Sequence, residues 1–157
     1  MLARTALINA AMPARPQSPQ RDVATVVVFN DHPVFRAGFI WKMDGQSGIE
    51  VLADAASLSE TFVMTVECGP DAVIADLRIS DGGSEGIEAI EALARKFPGT
   101  PVVVYSDFYS SSYVRKMEQA GAAAFVLKSA GPQKLVTAVQ TAVAERRADA
   151  YAGQAAA

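Results

Sequence analysis

The sequence predicts an α/β fold: a doubly wound, five-stranded parallel sheet with five helices shared between its two faces. Three features carry this expectation. Short apolar runs rich in β-branched residues recur along the chain, each followed by a stretch with helical apolar spacing. The runs VATVVVF, DAVIADL and PVVVYS are apolar at almost every position, as strands covered on both faces must be. Ser, Pro and Gly fall where an alternating order needs helix starts and stops.

The elements follow in order. Val23 to Phe29 is the first strand. Pro33 opens a helix whose first turn does not need its missing N–H, with Val34, Phe35, Gly38, Phe39 and Trp41 at helical spacing. Ile49 to Ala56 is a second strand, and Ser57 caps a second helix reaching Glu67. Asp71 to Leu77 is a third strand. The third helix, from Ser84, is stopped by Pro98 and Gly99. Pro101 to Ser106 is a fourth strand. The fourth helix ends at Gly121, which serves as its cap. Ala123 to Lys128 is a fifth strand, and the fifth helix starts near Pro132 and reaches Ala148.

At 157 residues one domain is expected, over 22–148. Residues 1–21, with three prolines and no periodicity, read as a disordered arm, and 149–157 as a flexible tail. Arg4 ahead of a short apolar patch is a poor secretory signal, because Asn9 breaks it. The net charge of −3 argues against nucleic-acid binding through bulk charge, and no apolar run is long enough to span a membrane. The lone Cys68 allows no internal disulfide, which suits a reducing, cytoplasmic setting.

Function is suggested by where polar residues fall. The first strand ends in Asn30-Asp31, the third in Asp76, the fourth in Ser106-Asp107 and the fifth in Lys128-Ser129. A single Asp there would be an ordinary loop opener. Four polar strand ends on one rim of a parallel sheet instead form a pocket, because ligands in such sheets bind outside the carboxyl ends of the strands. Two carboxylates repel, and a hard dication resolves this. Mg²⁺ takes one or two carboxylates plus water and phosphate oxygens. Lys128 adds a compact charge for a phosphoryl oxygen, Ser106 a hydroxyl, and a carboxylate can itself accept a phosphoryl group.

The segments NDHPVFRAGF, DAVIADLRIS, VVVYSD and AGAAAFVLKSA resemble the receiver domains of two-component response regulators, most closely the subgroup that precedes a LuxR-type helix-turn-helix domain. The resemblance runs from about Val23 to Arg147. It implies the flavodoxin-like strand order 2-1-3-4-5. It casts Asp76 as phosphoacceptor, Asp31 as the acidic Mg²⁺ ligand, and Arg78 as the donor of a backbone carbonyl to that ion. Ser106 becomes the hydroxyl switch residue, Lys128 the basic residue and Phe125 the aromatic switch; periodicity alone would make Phe125 a core strand residue. It implies a sensor histidine kinase or phosphotransfer protein as donor, a protein effector read through the face of the fourth helix, fifth strand and fifth helix, and a possible homodimer. Such a domain binds no nucleic acid or membrane directly and is not an enzyme acting on an external substrate.

Three departures from the family accompany this. Asn30 occupies the second acidic position and weakens the metal group. The loop after Asp76 lacks the usual proline at Ser80 and is longer by about two residues. No helix-turn-helix is expected after residue 147. The alternatives are a binding module that has lost phosphorylation, the receiver part of a LuxR-type transcription factor, and an enzyme or flavin carrier. The last lacks both a phosphate loop after the first strand and a second Asp two residues beyond Asp76. His32 is expected to be structural or a local tuner of the site, Tyr105, Tyr109 and Tyr113 to lie in the core or on helix faces, and Arg146-Arg147 to form a solvated helix end.

Overall fold

The structure is a computed structural model that describes residues 22–77 and 84–156. The elements, in chain order, are β1 (Ala24–Phe29), α1 (Pro33–Asp44), β2 (Ile49–Ala55), α2 (Leu58–Cys68), β3 (Ala72–Asp76), α3 (Glu85–Lys96), β4 (Val102–Ser106), α4 (Ser111–Gln119), β5 (Ala124–Leu127), a 3₁₀ turn (Lys128–Ala130) and α5 (Pro132–Ala155). The sheet order is β2-β1-β3-β4-β5, and every pair is parallel. This is the flavodoxin-like order expected, with the site at the C-terminal ends of β1, β3 and β4.

Every residue of β1, β3 and β4 is buried, which explains why these strands do not alternate in polarity. Side chains leave the sheet on alternate faces and feed two cores. Val26, Val28, Ile74 and Val103 join Phe39 and Met43 of α1 and Leu135, Val136, Val139 and Val143 of α5. Phe29, Val73, Ala75, Val102 and Val104 join Ile90 and Leu93 of α3 and Met117 of α4, with Leu58 and Phe62 of α2 packed alongside. The edge strands β2 and β5 are only partly buried.

Local chemistry sets the ends. Ser57 accepts from the Glu60 N–H, and Glu60 reaches back to the Ala56 N–H, so the start of α2 satisfies two otherwise unpaired donors. Gly121 lies one residue beyond the cap of α4. Its N–H reaches the Glu118 carbonyl and the Ala122 N–H reaches that of Met117, the paired bonds of a Schellman ending. At φ +107 a side chain there would be strained, and a Cβ would lie 2.6 Å from Ala94 Cβ.

The structure corrects three expectations. α5 runs to Ala155, through seven of the residues expected to form a flexible tail (149–155): Ala150, Ala152, Gln154 and Ala155 are good helix formers, and the helix carries through Gly153 between them. Arg146 and Arg147 therefore lie inside a helix, and Arg147 pairs with Asp71 at 2.9 Å. On α1 only Phe39 and Met43 are buried; Trp41 is 83% exposed and Val34 74%, so part of its apolar spacing faces out.

Candidate functional site

β1 ends at Phe29, and the next residue, Asn30, is fully enclosed. Each polar group of Asn30 has a partner. Its backbone N–H donates to the Ala55 carbonyl at the end of β2. Its carbonyl accepts from Arg36 Nη1 at 2.9 Å, and Arg36 Nε reaches Asp54 Oδ2 at 2.6 Å. Its side-chain oxygen accepts from the His32 N–H at 2.7 Å, and its Nδ2 donates to Asp76 Oδ2 at 2.7 Å. Only this amide orientation serves both neighbours, because one needs an acceptor and the other a donor.

Asp76 closes β3 and is 2% exposed. Its Oδ1 lies 2.6 Å from Lys128 Nζ. Burial raises the Asp76 pKa above its ordinary value; Lys128 and Asn30 pull it down without restoring it, and Asp107 adds to the rise. Lys128 opens the 3₁₀ turn one residue after β5, where the strand was expected to include it. Its ammonium also lies 3.7 Å from Asp107 Oδ2, and it stands over two rings, at 5.6 Å from the centroid of Tyr105 and 5.9 Å from that of Phe35.

Ser106 ends β4, is buried, and accepts the Phe108 N–H at 3.2 Å. Phe125 of β5 is half-buried, not sealed in the core, and meets Tyr113 and Tyr109 edge-on at 6.0 and 6.5 Å. Tyr105 is buried and packs on Phe39 at 5.5 Å. Asp31 lies exposed on the loop after β1. Arg78 and Ser80 lie outside the described residues.

The donor set suits a hard dication. Asp31 and Asp76 carry carboxylate oxygens, and burial raises the Asp76 pKa, a cost to its charged form that a nearby cation would offset. Among the described residues no cluster of three His, Cys, Asp or Glu could hold a metal alone. An ion here would therefore draw its other ligands from backbone, water or phosphate. Asn30, placed in the metal group from sequence, has its oxygen engaged by His32 and its amide turned to Asp76. Sequence reasoning missed Arg36, Asp54 and Phe35 at this rim, because their roles depend on which loop faces which.

A parallel sheet in this order, with a sealed carboxylate paired to a lysine at its C-terminal edge, defines the class. The chain belongs to the response regulator receiver domain family, which matches residues 26–140. It is 33% identical over 116 residues to the oxygen regulatory protein NreC of Staphylococcus epidermidis, a match covering 74% of this chain and 53% of that protein. The chain thus spans about half the length of the curated relatives it matches. Among solved structures it resembles a LuxR-family two-component response regulator from Aurantimonas sp. SI85-9A1 (TM-score 0.68, 30% identity, 79% of this chain and 87% of that one). It also resembles the signal receiver domain of the response regulator NarL from Mycobacterium tuberculosis (TM-score 0.64, 27% identity, 77% and 96%). Among the described residues no helix is long and apolar enough to cross a membrane.

Proposed function

We propose that this receiver accepts a phosphoryl group on Asp76 from a histidine kinase or phosphotransfer protein. The observation that carries the reading is the sealed Asp76 carboxylate, held by Lys128 on one oxygen and Asn30 on the other. A carboxylate oxygen forms a bond to phosphorus as the P–N bond of the donor phosphohistidine breaks, and its electron pair returns to the imidazole. Phosphoryl transfer depends mainly on positioning and charge neutralisation. Asn30 and Lys128 orient the carboxylate, and Lys128 is placed to follow the charge as it moves onto the phosphoryl oxygens. Mg²⁺, held by Asp31, Asp76 and the backbone carbonyl of Arg78, would neutralise those oxygens when bound. The added charge is read through Ser106 and Phe125 at the face of α4, β5 and α5, where an effector protein or a second copy docks.

The test is exposure to acetyl phosphate, or to beryllofluoride, with Mg²⁺, read by phosphate-affinity gel and by chemical-shift change. Wild type is expected to respond and Asp76→Asn to stay silent. A silent wild type favours the non-phosphorylated binding module, and an unchanged response in Asp76→Asn removes Asp76 as acceptor.

A second reading concerns the whole protein. The match to about half of NreC and the likeness to a LuxR-family regulator support a receiver that works as part of a LuxR-type transcription factor. Regulation of a promoter by the intact natural protein, lost on Asp76→Asn, tests it.

A further inference from the structure

Phe35 has no place in either core, yet it is an aromatic residue left 51% exposed at the rim of the site. What it touches gives it a purpose. The Lys128 ammonium stands over its ring at 5.9 Å and over that of Tyr105 at 5.6 Å, within the range at which a ring face attracts a cation. Phe35 is itself braced edge-on by His32 at 4.8 Å, and Tyr105 packs at a tilt on Phe39 at 5.5 Å.

Lysine carries its charge on a flexible four-carbon stem, so an ammonium that must meet a moving phosphoryl group has to be confined by its surroundings. Two carboxylates compete for it here: Asp76, buried, at 2.6 Å, and Asp107, 77% exposed, at 3.7 Å. Asp107 would draw the ammonium toward solvent. The rings attract it without supplying a hydrogen-bond acceptor, so they restrain its position and leave its three N–H donors for oxygen.

We infer that Phe35 is a positioning residue: with Tyr105 it forms an aromatic shelf that holds the Lys128 ammonium close on Asp76 against the weaker pull of Asp107. This inference rests on the phosphoryl-transfer reading of the same site. Tyr105 is buried and unsuited to substitution, whereas Phe35 is half-exposed and can be changed with the fold intact.

The experiment compares wild type, Phe35→Leu, which keeps apolar bulk and loses the ring, and Phe35→Tyr, which keeps the ring. The Lys128 side-chain proton resonances and the rate of phosphorylation by acetyl phosphate with Mg²⁺ are both measured, with melting temperature as the check on folding. In wild type and Phe35→Tyr the Lys128 methylene protons should carry an upfield ring-current shift, part of which disappears in Phe35→Leu. The rate should fall about fivefold in Phe35→Leu and stay near wild type in Phe35→Tyr, at equal melting temperature. Unmoved Lys128 resonances in Phe35→Leu, or moved resonances with an undiminished rate, overturn the inference. A wild type that takes no phosphoryl group overturns the functional reading instead, and the shelf is then decided by the resonances alone.

Discussion

Asn30 donates to Asp76 across a sealed contact of 2.7 Å, so the amide that the resemblance sets where a second acid is usual acts as a neutral hydrogen-bond donor to the Asp76 carboxylate. In Asn30→Asp that donor becomes a second carboxylate beside Asp76 Oδ2. At about 4 Å and an effective dielectric near 20, one unit charge is worth about 4 kcal/mol before desolvation. Without Mg²⁺ the variant should melt below wild type. With Mg²⁺ it should bind the ion at least about tenfold more tightly, since a third of that energy already suffices. A calorimetric titration showing equal or weaker affinity in the variant would remove the charge argument.

Asp76→Asn tests the electrostatics as well as the chemistry. The folded-state pKa of Asp76 is raised, chiefly by burial, so its ionised form opposes folding. That penalty is absent below the unfolded-state pKa and complete above the folded one, and stability declines as pH rises between the two. The amide removes the penalty, and Lys128 keeps Asp107 as a partner. In metal-free buffer at neutral pH, Asp76→Asn should melt at or above wild type, with no response to acetyl phosphate. A clear fall in melting temperature would mean that the Lys128 pair outweighs burial.

At the opposite end of the sheet, Asp71 ties three elements together. Its Oδ2 accepts from the Thr25 N–H and hydroxyl at 2.9 and 3.0 Å, and its Oδ1 meets Arg147 at 2.9 Å. Burial alone would raise its pKa, but the Thr25 bonds and Arg147 outweigh it and hold the carboxyl below its ordinary value. The resulting stability is present above the unfolded-state pKa and is lost as pH falls through the folded one. Asp71→Ala should cost about 1–3 kcal/mol at neutral pH, because it leaves Thr25 donors unpaired. Arg147→Ala, on a half-exposed pair, should cost at most about 1 kcal/mol. Urea melts at neutral and acidic pH should show the Asp71→Ala deficit shrinking toward the acid end. A deficit that does not depend on pH would rule out the carboxylate as its source.

Two glycines separate backbone strain from crowding. Gly69 caps α2 at φ +56 with open space around it, whereas Gly121 at φ +107 faces Ala94. Gly69→Ala should cost about 1 kcal/mol. Gly121→Ala should cost more, about 2–3 kcal/mol, because α3 must shift as well. Equal losses in chemical denaturation would show that the Ala94 contact relaxes freely.

The strand positions, the parallel order and the polar rim were legible in the chain, because strands buried on both faces must be apolar throughout and loops must begin on polar residues. The cap at Ser57 and the glycine that ends α4 at Gly121 were legible for the same kind of reason: they are local chemistry. The fate of the last residues was not: an Ala-rich ending reads from sequence as a flexible tail, whereas α5 is continuous through it to Ala155.

What the sequence alone determined is therefore the architecture, the family and the set of polar residues at the strand ends, all of which follow from short-range periodicity and motif order. Only the tertiary structure decided how those residues are used. It turned the Asn30 amide toward Asp76, set Lys128 over Phe35 and Tyr105, left Trp41 in solvent and joined Asp71 to both Thr25 and Arg147. The physical reason is distance along the chain: Asn30 and Asp76 are 46 residues apart, and so are Thr25 and Asp71. A hydrogen-bond direction or a ring face depends on side-chain orientation, which periodicity does not carry.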